Sequence, residues 1–138
     1  FDYICCSVGT GGTISGLVNA SKNHQKVIGF PALKGDFLKT EIEKYTTKTN
    51  WSLQTDFHFG GYAKYNETLI RFINDFKKET KVLLDPIYTA KMTYGLLEII
   101  KNSGFQKGSK ILAIHTGGLQ GIEGMNSLLK KKKLPLIV

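Results

Sequence analysis

The stretch Ser7-Val8-Gly9-Thr10-Gly11-Gly12-Thr13 joins an apolar run, Tyr3-Ile4-Cys5-Cys6, to a segment with apolar residues at 14, 17 and 18. The run reads as a buried strand, and the 14/17/18 spacing as one face of a helix. A strand that ends in a glycine loop and feeds directly into a helix aims backbone N–H groups and the positive end of the helix dipole at one point. Glycines let such a loop take positive φ and let an anion approach the backbone, and Thr10 and Thr13 add hydroxyl donors. The pattern therefore reads as a phosphate-binding junction.

The kind of phosphate is constrained by what the loop lacks. No Gly-Lys-Ser/Thr follows at Walker A spacing, and the position three beyond Gly11 is Ile14, so G-x-G-x-x-G fails as well. With no P-loop lysine to neutralise a triphosphate, a single terminal phosphate carried by a cofactor fits the short loop better.

The rest of the chain alternates in the same way. The spacing predicts a helix from about Thr13 to Asn23, a strand at Lys26–Phe30, and a helix from Asp36 to Tyr45 capped by Asp36. Trp51 to Phe57 reads as extended, ending at Gly60-Gly61. Asn66 caps a helix with Leu69, Ile70, Ile73 and Phe76 as its buried stripe. Val82-Leu83-Leu84 reads as a strand ended by Asp85-Pro86, and Thr89 to Asn102 as a helix stopped by Gly104. Lys110–Ile114 is a last strand, followed by His115-Thr116-Gly117-Gly118 and a helix from about Gly121 to Lys131. Continuous apolar strands between amphipathic helices predict an α/β fold: an open, mostly parallel sheet with helices on both faces. Ligands bind such sheets at the carboxyl ends of the strands. Three polar junctions fall there, at 7–13, 85–89 and 115–118, and their convergence carries more than any one loop.

A chain of 138 residues suffices for one unit with a real core. It has no apolar run of membrane-spanning length. It opens without a methionine, in what reads as a core strand, so the expectation is that the N-terminal part of a longer protein is missing. The net charge of +8 raises nucleic acid as a partner. Four of those charges sit together in Lys130-Lys131-Lys132-Lys133, which reads as a solvated helix end. The only arginine is Arg71, whereas nucleic-acid readers interleave arginines and aromatics on one surface, so this partner is set aside. Cys5 and Cys6 are adjacent and point to opposite faces of a strand, reading as reduced, buried residues of a cytoplasmic protein, with no metal site.

Three segments together, Ser7–Thr13, Leu84-Asp85-Pro86-Ile87-Tyr88-Thr89-Ala90-Lys91 and Ile114-His115-Thr116-Gly117-Gly118, resemble the C-terminal half of a family of pyridoxal-phosphate enzymes. These are the 1-aminocyclopropane-1-carboxylate deaminases and D-cysteine desulfhydrases, of fold type II. The resemblance implies that Val8, Gly9, Thr10, Gly11, Gly12 and Thr13 hold the phosphate of pyridoxal 5′-phosphate. It implies that Tyr88 packs on the pyridine ring, that Tyr62 reaches a small amino-acid substrate, and that Thr89 and Thr116 lie at the positions that face the pyridine nitrogen. Deaminases of this family carry glutamate and leucine at those two positions, so Thr89 and Thr116 favour β-elimination of the D-cysteine type over cyclopropane ring opening. The family's Schiff-base lysine belongs to the N-terminal half, which makes this chain alone inactive and that half its first partner. Lys91 reads as a surface or supporting lysine, and His115 as a structural hydrogen-bonder. The resemblance further implies a homodimer, and the incomplete sheet implies exposed edges prone to self-association. The competing reading is a non-catalytic phosphate-ligand or regulatory module.

Overall fold

The computed structural model describes all 138 residues. Four strands, β1 (Tyr3–Val8), β2 (Lys26–Pro31), β3 (Trp51–Leu53) and β4 (Ile111–Ala113), form one sheet in the order β3-β2-β1-β4. Every pairing is parallel, with Cys5 opposite Ile28 on one side and Ala113 on the other. Five helices complete the fold: α1 (Gly12–Ala20), α2 (Leu38–Glu43), α3 (Glu67–Thr80), α4 (Thr89–Lys101) and α5 (Gly121–Lys131).

Alternation along β1 splits the core in two. Cys6 and Val8 face α1 and α2, packing with Ile14, Val18, Val27, Leu38 and Ile42. Cys5 faces the other way, with Ile28, Phe30 and the α4 residues Met92 and Leu96. Both cysteines are buried and free, and burial pushes each thiol up to about 12, so they behave as small apolar groups. Gly29 lets α1 sit down on the sheet, since a Cβ there would lie 2.6 Å from Ile14 and Val8 side-chain atoms. A third cluster joins α3, α4 and α5 through Leu69, Ile70, Ile73, Ala90, Met125 and Leu129. The parallel α/β architecture with helices on both faces is thus as the sequence predicts.

Several local expectations need correction. Helix α2 starts at Leu38, and Asp36 is exposed outside it with no capping bond. Phe37 and Tyr45 are 50% and 62% exposed, so the buried stripe is only Leu38 and Ile42. Residues 82–84 form no strand: the Val82 N–H donates to the Thr80 hydroxyl, and the Leu83 carbonyl accepts from His115 Nε2. Apolar content made a strand there, but no neighbour in this chain completes a ladder. Helix α4 ends as expected, yet the left-handed residue is Ser103 (φ 59°), and Gly104 serves close packing against Ile99. Asn66 caps α3 as read, its side chain accepting the Leu69 N–H at 2.9 Å. No helix is long and apolar enough to cross a membrane.

Candidate active site

The loop after β1 leads into α1 through Gly11, which holds φ +98° where a side chain would be strained and would crowd Ile42. The N-terminus of α1 has no side-chain cap and no acidic residue in its first turn. None of the backbone N–H groups from Gly9 through Ile14 donates to an acceptor within the protein. A run of unpaired donors at a helix start is a concave positive site. At Gly12 a Cβ would meet nothing within 4 Å, so the space in front of these donors is open.

That space is a cavity of about 350 Å³, near the low end of the range of about 300–1,000 Å³ typical of small-molecule sites. Its lining joins Ser7 and the whole of Val8–Ile14 to Tyr88, Thr116, Gly117, Gly118 and Gln120. Two of the three polar junctions are therefore on the cavity wall, and the 85–89 turn supplies Tyr88. The ring of Tyr88 lies against the loop, with Cε1 3.2 Å from where a Gly9 Cβ would stand. The Thr116 hydroxyl is 3.4 Å from that of Ser7. Tyr62 stands outside the lining, its ring edge-on to Tyr88 with centroids 6.2 Å apart. Burial raises the Tyr88 phenol pKa, with Tyr62 and Asp85 adding to the shift.

Thr89 is displaced from its expected place. It is fully buried, and its hydroxyl donates to Asp85 Oδ1 at 2.7 Å while accepting the Asp85 N–H at 2.9 Å. The sequence reading treated Asp85 only as a strand end. In the fold its buried carboxylate accepts the N–H groups of Ile87 and Tyr88 on Oδ2 and of Thr89 on Oδ1, at 2.7–2.9 Å. It thereby fixes the turn that aims Tyr88. The signal was available: an aspartate followed by proline, at the head of a helix, is a capping pattern. Gly118 packs on this carboxylate at φ +88°, a Cβ there lying 3.1 Å from Asp85 Cγ, so the third loop is keyed to the same residue. Gln120 carried no motif and was missed.

His115 accepts the Gly117 N–H on Nδ1 and so donates from Nε2 to the Leu83 carbonyl at 2.8 Å. It ties the third loop to the segment before Asp85, the structural role expected of it. Lys91 is not at the surface. It is 0% exposed, with Nζ donating to the Gly61 carbonyl at 2.9 Å, and burial pulls its pKa down to about 8 against the opposing effect of Asp85. A larger cavity of about 760 Å³ opens at the β3 edge between Leu38, Lys48 and Trp51, but none of the motif residues reaches it.

Pyridoxal phosphate fits the site on the chemistry of its donors. Unpaired N–H groups suit a phosphate ester dianion, and an aromatic wall beside them suits a planar ring. An α/β sheet whose strand ends gather a glycine cradle, an aromatic and the hydroxyls of Ser7, Thr10, Thr13 and Thr116 is an arrangement of the fold type II kind. Comparison with known proteins narrows the class. No family model matches the chain. It is 33% identical over 88% of its length to a protein of Pyrococcus furiosus named putative 1-aminocyclopropane-1-carboxylate deaminase, covering 40% of that protein. It is also 33% identical to the bifunctional D-cysteine desulfhydrase/1-aminocyclopropane-1-carboxylate deaminase, mitochondrial, of Arabidopsis thaliana, covering 88% of the chain and 33% of the relative. A solved homologue of 1-aminocyclopropane-1-carboxylate deaminase superposes with TM-score 0.79 at 25% identity, over 94% of this chain and 44% of that one. Threonine deaminase isoform 2 of Solanum lycopersicum shares the fold, with TM-score 0.53. The chain resembles the 1-aminocyclopropane-1-carboxylate deaminase and D-cysteine desulfhydrase family over nearly its whole length, and spans less than half the length of these relatives.

Proposed function

We propose that this chain is the cofactor-phosphate and ring-packing part of a pyridoxal-phosphate-dependent enzyme acting on a small amino acid, with D-cysteine-type β-elimination favoured over cyclopropane ring opening. The observation that carries the reading is the unpaired run of N–H donors from Gly9 to Ile14, walled by Tyr88. Pyridoxal phosphate, when bound, supplies the electron sink for chemistry at the substrate α-carbon. The chain's residues bind and orient. Gly9–Thr13 would hold the phosphate by backbone N–H groups and the Thr10 and Thr13 hydroxyls, with Val8, whose N–H belongs to the β1 ladder, forming part of the wall. Tyr88, whose ring lines the cavity, would cover one side of the cofactor ring and keep water off it. Thr116, on the cavity wall, would offer a neutral hydroxyl to the ring nitrogen, and Tyr62 would offer a phenol to the substrate.

The preference for β-elimination rests on Thr89 and Thr116. Neither carries a carboxylate, and the carboxylate of Asp85 is occupied with backbone and Thr89 donors. A hydroxyl holds a proton on that nitrogen less firmly than a carboxylate does, which suits expulsion of a good leaving group such as a thiol. A lysine-bearing N-terminal half, and a second copy of the assembled protein, complete the proposed enzyme. A phosphate-ligand module remains the second reading, favoured by one observation: no lysine lines the cavity.

An absorbance titration with pyridoxal phosphate separates them. The chain is titrated alone and with the lysine-bearing N-terminal half of a relative supplied as a separate polypeptide. A red-shifted cofactor band only with both halves, followed by sulfide release from D-cysteine and none of the ring-opened product from 1-aminocyclopropane-1-carboxylate, supports the enzyme reading. No band in either case, with phosphate still bound, supports the module.

A further inference from the structure

We propose that Lys91 is a positioning residue, whose ammonium holds the loop from Phe59 to Ala63 and so sets the Tyr62 side chain against Tyr88. The inference rests on the reading of Tyr62 as the side chain that meets substrate. Lys91 lies three residues beyond Tyr88, one turn along, so both project from neighbouring positions on one side of α4. It is 0% exposed, and its only side-chain hydrogen bond runs from Nζ to the carbonyl of Gly61, the residue before Tyr62. No carboxylate forms an ion pair with it; the chain's salt bridges all lie at the surface, on Lys39, Lys44 and Arg71. Burying an ammonium on a single carbonyl is costly, and an apolar side chain of the same length would pack at less cost. Stability is therefore a poor reason for a lysine here.

The loop supplies a reason. Phe59 (φ 56°) and Ala63 (φ 55°) both adopt the left-handed conformation, and Gly60 (φ 100°) and Gly61 (φ 129°) lie between them. Non-glycine residues persist there only where their surroundings over-determine the backbone. The other hydrogen bonds of this loop are internal to residues 58–64: Gly60 N–H to His58 Nδ1, Gly61 N–H to the His58 carbonyl, and Lys64 N–H to the Gly61 carbonyl. Phe59 anchors the base by packing edge-on against Tyr94, centroids 5.1 Å apart. Lys91 provides the one hydrogen bond that reaches the tip from outside. Backbone of α4, Lys91, Gly61, Tyr62 and Tyr88 thus close a ring of contacts, in which the lysine is the strut. Without it Tyr62, already 54% exposed, is left with only its own contact with Tyr88 to hold it at the site.

The test compares wild type with Lys91→Met and Lys91→Arg by amide hydrogen exchange and by inorganic phosphate titration followed in amide NMR spectra. In Lys91→Met, amides 60–64 should exchange about tenfold faster or more, the scale of a lost hydrogen bond to a charged group. Protection in the rest of α4 and the phosphate-induced shifts of Gly9–Ile14 should stay as in wild type. Lys91→Arg, which keeps charge and donors, should restore loop protection. Wild-type loop protection in Lys91→Met, or an equal loss throughout α4, overturns the proposal. Should Lys91→Met not fold, Lys91→Gln is judged by the same comparison. A wild-type chain whose Gly9–Ile14 amides ignore phosphate overturns the cofactor reading instead, and leaves the loop result to stand or fall by itself.

Discussion

Two helix N-termini meet at one cavity and are finished in opposite ways. At α4 the buried Asp85 carboxylate takes the N–H groups of Ile87, Tyr88 and Thr89, so that terminus is capped from within. At α1 the corresponding donors have no partner, no cap and no acidic residue in the first turn. The capped end holds a ring in place, and the open end is suited to an anion from outside. Helix dipoles alone do not distinguish them; the side chains around each start do. A phosphate site here is made as much by leaving out an acid at Gly12 and Thr13 as by placing glycines.

The largest expected effect comes from removing the cap at the α4 end. Asp85→Ala leaves buried donors unpaired and should lower stability by about 3–5 kcal/mol in urea unfolding, with Tyr88 losing its fixed ring environment. Unchanged stability would mean that the turn before α4 holds without its cap.

A second test uses pH, because α4 also carries buried Lys91. Its pKa falls from 10.5 unfolded to about 8 folded, so between those values the unfolded chain holds more protons and stability rises with pH. Cys5 and Cys6 oppose this, since their pKa rises on folding from 9.0 to about 12, and the stability they contribute below pH 9 is lost on going above it. Wild type minus Lys91→Met in chemical denaturation isolates the lysine: the difference should climb in favour of wild type from about pH 8. A flat difference would show that Lys91 is not charged and buried below that pH.

What could be read beforehand divides along similar lines. The α1 junction was legible because its meaning is local: strand, glycines and helix start are contiguous, and the Asn66 cap and the Gly121–Lys131 helix are contiguous patterns too. The roles of Thr89 and Lys91 were not legible. Thr89 bonds to Asp85 rather than the cavity, and Lys91 is buried only because Gly61, thirty positions earlier, folds over it. Residues 82–84 mislead for a related reason: apolar composition announces a strand, but a ladder needs a neighbour.

Converting the open end into a closed one sharpens the comparison. Gly12→Asp, at a position with free space, should add about 0.3–1 kcal/mol to stability by complementing the α1 dipole. It should also weaken phosphate binding by about tenfold or more, since a carboxylate now occupies the cradle. Stabilisation with undiminished binding would place the anion elsewhere. The smallest effect is expected from Thr116→Ala, whose exposed hydroxyl has only a long contact to Ser7: stability should move by no more than about 0.5 kcal/mol, measured by thermal unfolding. A larger loss would make Thr116 part of the framework.

The most direct measurement is an amide NMR titration of this chain with pyridoxal phosphate. Saturable shifts concentrated at Gly9–Ile14, with the Tyr88 ring signals moving in step, are the result this account predicts. Shifts confined to the lysine run at 130–133, or none at the α1 start, would contradict it.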